Sequence, residues 1–181
     1  MHALMTTARH ALGMLLLATS TACLAGNPAP PAQGPAPLFD PTVFFAGRTH
    51  GEGVLHVRAG GSRALRVEGM GRTDADGAFQ LDQTVTYADG AVETRTWHMR
   101  RVDAGHYAAT LSDAKGEVQA DASGNLFHLR YLIRQPAVYM EQWLYLAPDG
   151  QSVANQAQVT VLGMPWARLA ETITRGTTRK E

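Results

Sequence analysis

From about Gly53 onward, apolar and polar side chains alternate with a period of two, and turn signals break the alternation at regular intervals. Phe79, Leu81, Val85 and Tyr87 fall on alternate positions with Gln80, Asp82, Thr84 and Thr86 between them, the pattern of a strand with one dry and one wet face. Asp89-Gly90 supplies the positive-φ positions of a tight hairpin, and Val92–Val102 runs back. The grammar recurs. Asp76-Gly77 sits between Ala64–Arg72 and Ala78–Ala88, Ser123-Gly124-Asn125 precedes Leu126–Arg134, and Asp149-Gly150 separates Val138–Ala147 from Ser152–Leu162. Stretches around Asp103-Ala104-Gly105 and Asp113-Ala114-Lys115 mark reversals on either side of the short Tyr107–Leu111. With Val54–Arg58 and a last segment near Ala167–Arg175, the pattern predicts about ten strands. The last segment also fits a helix opened by Pro165, with Trp166, Leu169 and Ile173 on one face. Thr172 and Thr174 favour a strand, as does the need of a meander this long to cover its edge. The expected fold is therefore all-β: an antiparallel up-and-down meander of about 8–10 strands closing into a barrel, whose interior has room for one small ligand. A two-sheet β-sandwich is the alternative.

The N-terminal region follows other rules. A polar start with Arg9 leads into the apolar run Ala11–Ala18 and the small residues Thr19-Ser20-Thr21-Ala22 before Cys23, the order of a secretory signal. The run is too short to span a bilayer. Cys23 is the only cysteine, so an exported chain cannot close an internal disulfide with it. Small residues followed by Cys resemble a bacterial lipobox, although Ser20 stands where Leu is usual, and this predicts acylation of Cys23. Ordinary cleavage after Ala22 or Ala25 is the alternative. Leu24 to Pro37 carries Pro28, Pro30, Pro31, Pro35 and Pro37, a density that neither helix nor sheet tolerates, and reads as an extended tether. The expected organisation is a signal peptide over 1–22, a lipidated cysteine and Pro-rich tether over 23–37, one β-barrel domain over 38–176 and a polar tail over 177–181. Leu24 after the cysteine, rather than Asp, implies the outer membrane, facing the periplasm.

Charge changes the picture little. Sixteen basic residues balance sixteen acidic ones, so no polybasic surface for nucleic acid is on offer. Alternation does suggest an interior. Glu93, Arg95, Trp97 and Met99 share one face of their strand; Tyr139, Glu141, Trp143 and Tyr145 share one face of theirs. If the aromatic faces point inward, Tyr87, Trp97, Trp143 and Tyr145 meet Gln83, Arg95, Glu141 and Asn155, a few polar groups among aromatics as in a ligand pocket. The competing reading makes Arg95 and Glu141 a structural ion pair inside a filled core, so that removing Arg95 would orphan the carboxylate.

Catalytic signals are sparse. His50, His56, His98, His106 and His128 lack the spacing of a zinc site, no G-x-S-x-G elbow or Gly-rich phosphate loop occurs, and Glu52 and Asp82 have no partner visible in the sequence. The expectation is a protein with no catalytic residues, no metal and no cofactor.

One set of motifs is familiar. Phe44-Phe45-Ala46-Gly47 followed by Gly53, then Leu81-x-Gln83-x-Val85-x-Tyr87-Ala88-Asp89-Gly90, Arg95-Thr96-Trp97, Tyr107, Gly116, Ser123-Gly124-Asn125, Trp143-Leu144-Tyr145 and Asn155-Gln156-Ala157 resemble the bacterial lipoprotein family described as domain of unknown function 3833, over roughly Leu38 to Arg175. That family usually carries Glu where this chain has Gln83. The resemblance implies export, lipidation and one β domain, with no established activity. Together these readings point to a non-enzymatic envelope lipoprotein, bound to the membrane through its N-terminal lipid, whose lipocalin-like barrel takes a small apolar or amphipathic ligand, a fatty-acyl group or other lipid among the candidates. The alternative is a scaffold or assembly factor that contacts an envelope protein through the outside of the barrel.

Overall fold

In a computed structural model of the chain, the described residues are 37–176. The signal segment, Cys23, the tether except Pro37, and the C-terminal tail lie outside them. Asp40-Pro41 opens a single helical turn, α1 (Pro41–Phe44): Asp40 accepts a hydrogen bond from the Thr42 amide at 2.9 Å, and Pro41 takes the first helical position, where no N–H is needed. Ten strands follow: β1 (Gly47–Val57), β2 (Gly61–Thr73), β3 (Phe79–Tyr87), β4 (Val92–Arg101), β5 (Tyr107–Leu111), β6 (Gln119–Ser123), β7 (Leu126–Arg134), β8 (Val138–Leu146), β9 (Ser152–Val161) and β10 (Met164–Arg175). The all-β meander expected from the alternation is therefore present, and the last segment is a strand. The sequence pattern missed β6 and α1.

Local chemistry sets the turns. Asp89 accepts a hydrogen bond from the Ala91 amide (3.1 Å) while Gly90 takes a φ of 86° that a Cβ would oppose; Asp149 repeats the device on the Gln151 amide at 2.9 Å. All neighbouring strands pair antiparallel in the order β5-β4-β3-β2-β1-β10-β9-β8-β7-β6. The first and last strands form a full ladder from Thr49↔Arg175 to Val57↔Ala167. The sheet curls until β5 approaches β6, giving a nearly closed barrel. Across that seam only the isolated bridges His106↔Asp121 and Ala109↔Val118 form, aided by the His106 Nδ1–Asp121 Oδ1 contact at 2.7 Å.

The two ends of the barrel differ. At the end where β1 begins, Phe39, Phe44 and Phe45 from the α1 segment pack on Phe79, Tyr107 and Phe127, all at most 4% exposed. The rings of Phe39 and Phe127 meet edge-on at 5.8 Å. Arg101 reaches both Asp40 Oδ2 (2.7 Å) and the Tyr107 hydroxyl (2.8 Å), so the helical plug is tied to β4 and β5. Gly71 permits the fit, because a Cβ there would strike the Phe45 carbonyl and the Phe79 ring. At the opposite end, the hairpins β1–β2, β3–β4, β7–β8 and β9–β10 surround an opening.

Candidate ligand-binding site

Each strand sends alternate side chains inward, and the inner set changes character with depth. Near the plug, Phe79, Leu81, Trp97, Met99, Phe127, Leu144 and Ile173 are at most 5% exposed and form a closely packed floor, which all but Phe79 present to the cavity. Towards the opening, Leu55, Val57, Ile133, Met140, Val159 and Leu169 are only half-buried. They border a cavity of about 330 Å³, at the small end of the roughly 300–1,000 Å³ typical of small-molecule pockets. At its mouth the register of β10 shifts between Pro165 and Ala167, and Trp166, in the irregularity, joins the cavity lining while 45% exposed.

A polar belt crosses this chamber. Trp97 Nε1 donates to Gln83 Oε1 at 2.9 Å. Gln142 Nε2 donates to the Tyr131 hydroxyl at 3.0 Å, Asn155 Nδ2 donates to Gln142 Oε1 at 3.4 Å, and the same Nδ2 donates to Glu171 Oε2 at 2.8 Å. Burial pushes the Tyr131 phenol up to about 12; the Arg95 charge and the Gln142 hydrogen bond oppose that rise, and the Asp113 charge adds to it. Glu171 is 8% exposed, and its Oε1 and Asn155 Oδ1 are buried without a hydrogen-bond partner. Its carboxyl lies over Gly51, where a Cβ would collide with Oε1. Desolvation raises the Glu171 pKa, opposed by the Asn155 hydrogen bond and the Arg95 charge. The proton is thus held more tightly folded than unfolded. Stability linked to Glu171 should be fully present below the ordinary Glu value and decline as pH rises from there through the raised value. Replacing Glu171 by Gln should therefore leave acid stability close to wild type and raise the neutral-pH melting temperature, which thermal melts across pH would measure.

Five of the residues picked out from the sequence come together here: Gln83, Tyr87, Arg95, Trp97 and Asn155 all line the cavity. Glu141, Trp143 and Tyr145 do not. β8 alternates as expected, but it is Met140, Gln142 and Leu144 that face the cavity, with Leu146 in the adjoining core. On the outer side Trp143 stacks on His128 at 5.6 Å, Glu141 pairs with His128 Nε2 at 2.9 Å, and Arg130 lies 4.9 Å over the Tyr139 ring. Aromatic rings with polar partners are stable at a half-wet surface, so ring content misassigned the faces. The Arg95–Glu141 ion pair accordingly does not form. Sequence reading missed Tyr131, Gln142 and Glu171; the apolar run Met140-x-Gln142-x-Leu144-x-Leu146 was the available signal for Gln142. Asp82, solitary in the sequence, sits on the outer face and accepts from Gln80 (2.9 Å), Arg72 (2.7 Å) and Thr96 (2.8 Å), which hold its carboxyl at about 2.

The model of the family described as "Protein of unknown function (DUF3833)" matches residues 18–175. The chain belongs to the DUF3833 family. No curated protein matches this DUF3833 chain. Among solved structures, the S-type phycobiliprotein lyase CPES from Guillardia theta superposes with a TM-score of 0.61 at 8% identity, over 76% of this chain and 92% of that one. At that identity the likeness is one of fold alone. A redesigned β-barrel, mFAP1, bound to DFHBI matches with a TM-score of 0.40 at 9% identity, over 74% and 97% of the two chains.

Proposed function

We propose that this DUF3833 protein is a non-enzymatic binding barrel of the bacterial envelope, anchored through a lipid on Cys23 at the periplasmic face of the outer membrane, and that its chamber holds one small apolar or amphipathic molecule. The observation that carries the reading is the half-buried chamber, dry on most sides and crossed by a short polar belt. A scaffold that used only its outer surface would have no need to leave the upper interior unfilled, since a packed core is the more stable arrangement. The sequence order of signal, cysteine and proline-rich tether supports the envelope address.

Native mass spectrometry of the full chain, extracted from its own membrane, tests both halves. Wild type should carry the diacylglycerol mass, absent from Cys23→Ala, and a retained small molecule. Leu55→Trp places an indole in the half-filled part of the chamber and should abolish retention without loss of the fold. An unmodified wild type would overturn the anchor, and a ligand retained equally by Leu55→Trp would overturn the chamber.

A further inference from the structure

The chamber contains one permanent positive charge that no carboxylate among the described residues meets in an ion pair. Among the described residues, the Arg95 guanidinium makes no ion pair, although it is half-buried and lines the cavity. The other charges near the opening differ. Arg63 is paired with Asp89 at 2.9 Å. Glu93, which accepts a hydrogen bond from the Tyr87 hydroxyl at 3.1 Å, and Asp113 line the cavity from its exposed rim, and neither forms an ion pair with Arg95. Deeper inside, Glu171 is engaged with Asn155; burial raises its pKa and the Arg95 charge opposes that rise, yet the two make no ion pair.

A second donor sits beside the guanidinium. The Tyr131 hydroxyl accepts from Gln142 Nε2 at 3.0 Å and is 2% exposed, and no acceptor among the described residues takes its own proton. A guanidinium fork and a phenol O–H at one spot, under walls of Leu55, Val159 and Leu169, match an oxyanion attached to an apolar body.

We propose that the chamber takes a carboxylate-bearing amphiphile head first, its carboxylate received by Arg95 and the Tyr131 hydroxyl and its apolar part directed towards Trp166. This rests on the binding reading above and goes further by fixing the headgroup chemistry and the ligand's direction.

The test compares decanoate with methyl decanoate, equal in chain and different in charge, by displacement of the neutral fluorophore N-phenyl-1-naphthylamine from the full chain at a pH well above the ordinary carboxyl range. Wild type should bind the acid at least about tenfold more tightly than the ester, the scale of one hydrogen bond to a charged group. Arg95→Gln should erase that preference while keeping ester affinity, and Arg95→Lys should keep part of it. Equal affinity of wild type for acid and ester would overturn the headgroup assignment whatever the variants do, as would an Arg95→Gln that weakens both alike. If the fluorophore binds but neither lipid does, the inference fails and the chamber stands. If the fluorophore does not bind either, both fail.

Discussion

Replacing Phe127 with alanine should lower the free energy of unfolding by about 3–5 kcal/mol, the usual range for truncating a buried aromatic. Phe127 is 1% exposed on β7 and meets Phe39 of the plug segment at 5.8 Å and Tyr107 of β5 at 5.6 Å. The ring therefore holds three parts of the chain together: the α1 plug, the strand that comes round to the seam, and the sheet beneath both. Its loss leaves a cavity that those elements cannot fill without moving the plug. Domains are stable by only about 5–15 kcal/mol in total, so the variant should unfold at markedly lower urea, with an unchanged dependence on denaturant. Leu162→Ala, on an exposed hairpin tip, is the control and should stay within about 0.5 kcal/mol of wild type. A Phe127→Ala curve that superposed on wild type would show that the plug is not seated as described.

Trp97→Ala should cost a similar amount, about 3–5 kcal/mol, with a second and opposite consequence. Trp97 is 5% exposed, stands edge-on to Tyr131 at 5.6 Å and donates its indole N–H to Gln83. It lines the chamber, its indole filling part of the interior. Deleting the indole should therefore destabilise the barrel and deepen the chamber at once, so that the variant binds a bulkier apolar probe than wild type does. Trp97→Phe should recover most of the stability and little of the added volume. Urea titration with and without the probe separates the two effects, because a ligand that binds only the folded state adds stability that grows with the logarithm of its concentration over its dissociation constant. A variant that lost stability yet bound larger probes no better would place the chamber elsewhere than above Trp97.

How much of this the sequence disclosed depends on the range of the interactions involved. Strands and hairpins were legible because their causes are local: alternate residues face alternate sides, and an Asp-Gly pair carries its own turn. α1 had a local signal in Asp40-Pro41, but one helical turn is too short to show periodicity. β6, reading Gln-Ala-Asp-Ala-Ser, offered small residues where alternation is usually visible, since Ala120 and Ala122 tuck under bulkier neighbours from other strands. Alternation also leaves open which face is wet. That ambiguity gave the correct inner side of β4 and the reversed side of β8, where His128 and Arg130 on the neighbouring strand stabilise rings on the outside. Glu171 was the least legible residue. Its inward carboxyl depends on the missing side chain of Gly51, a position on β1 that only the closing ladder between β1 and β10 brings alongside. No local pattern records that dependence.

The uneven closure of the wall has a consequence for how the molecule is held together. The start and finish of the domain are joined by a long, fully laced ladder, while the strand pairing between β5 and β6, where the two five-strand halves of the ribbon meet, is limited to two bridges and a His–Asp contact. The clasp thus lies on the far side from the hinge. Were the native ends fused and the chain cut between Ser112 and Val118, every long ladder would remain intact and the new ends would emerge where the fabric is already thinnest, so the domain tolerates rearrangement of its connectivity best at the middle of its own sequence.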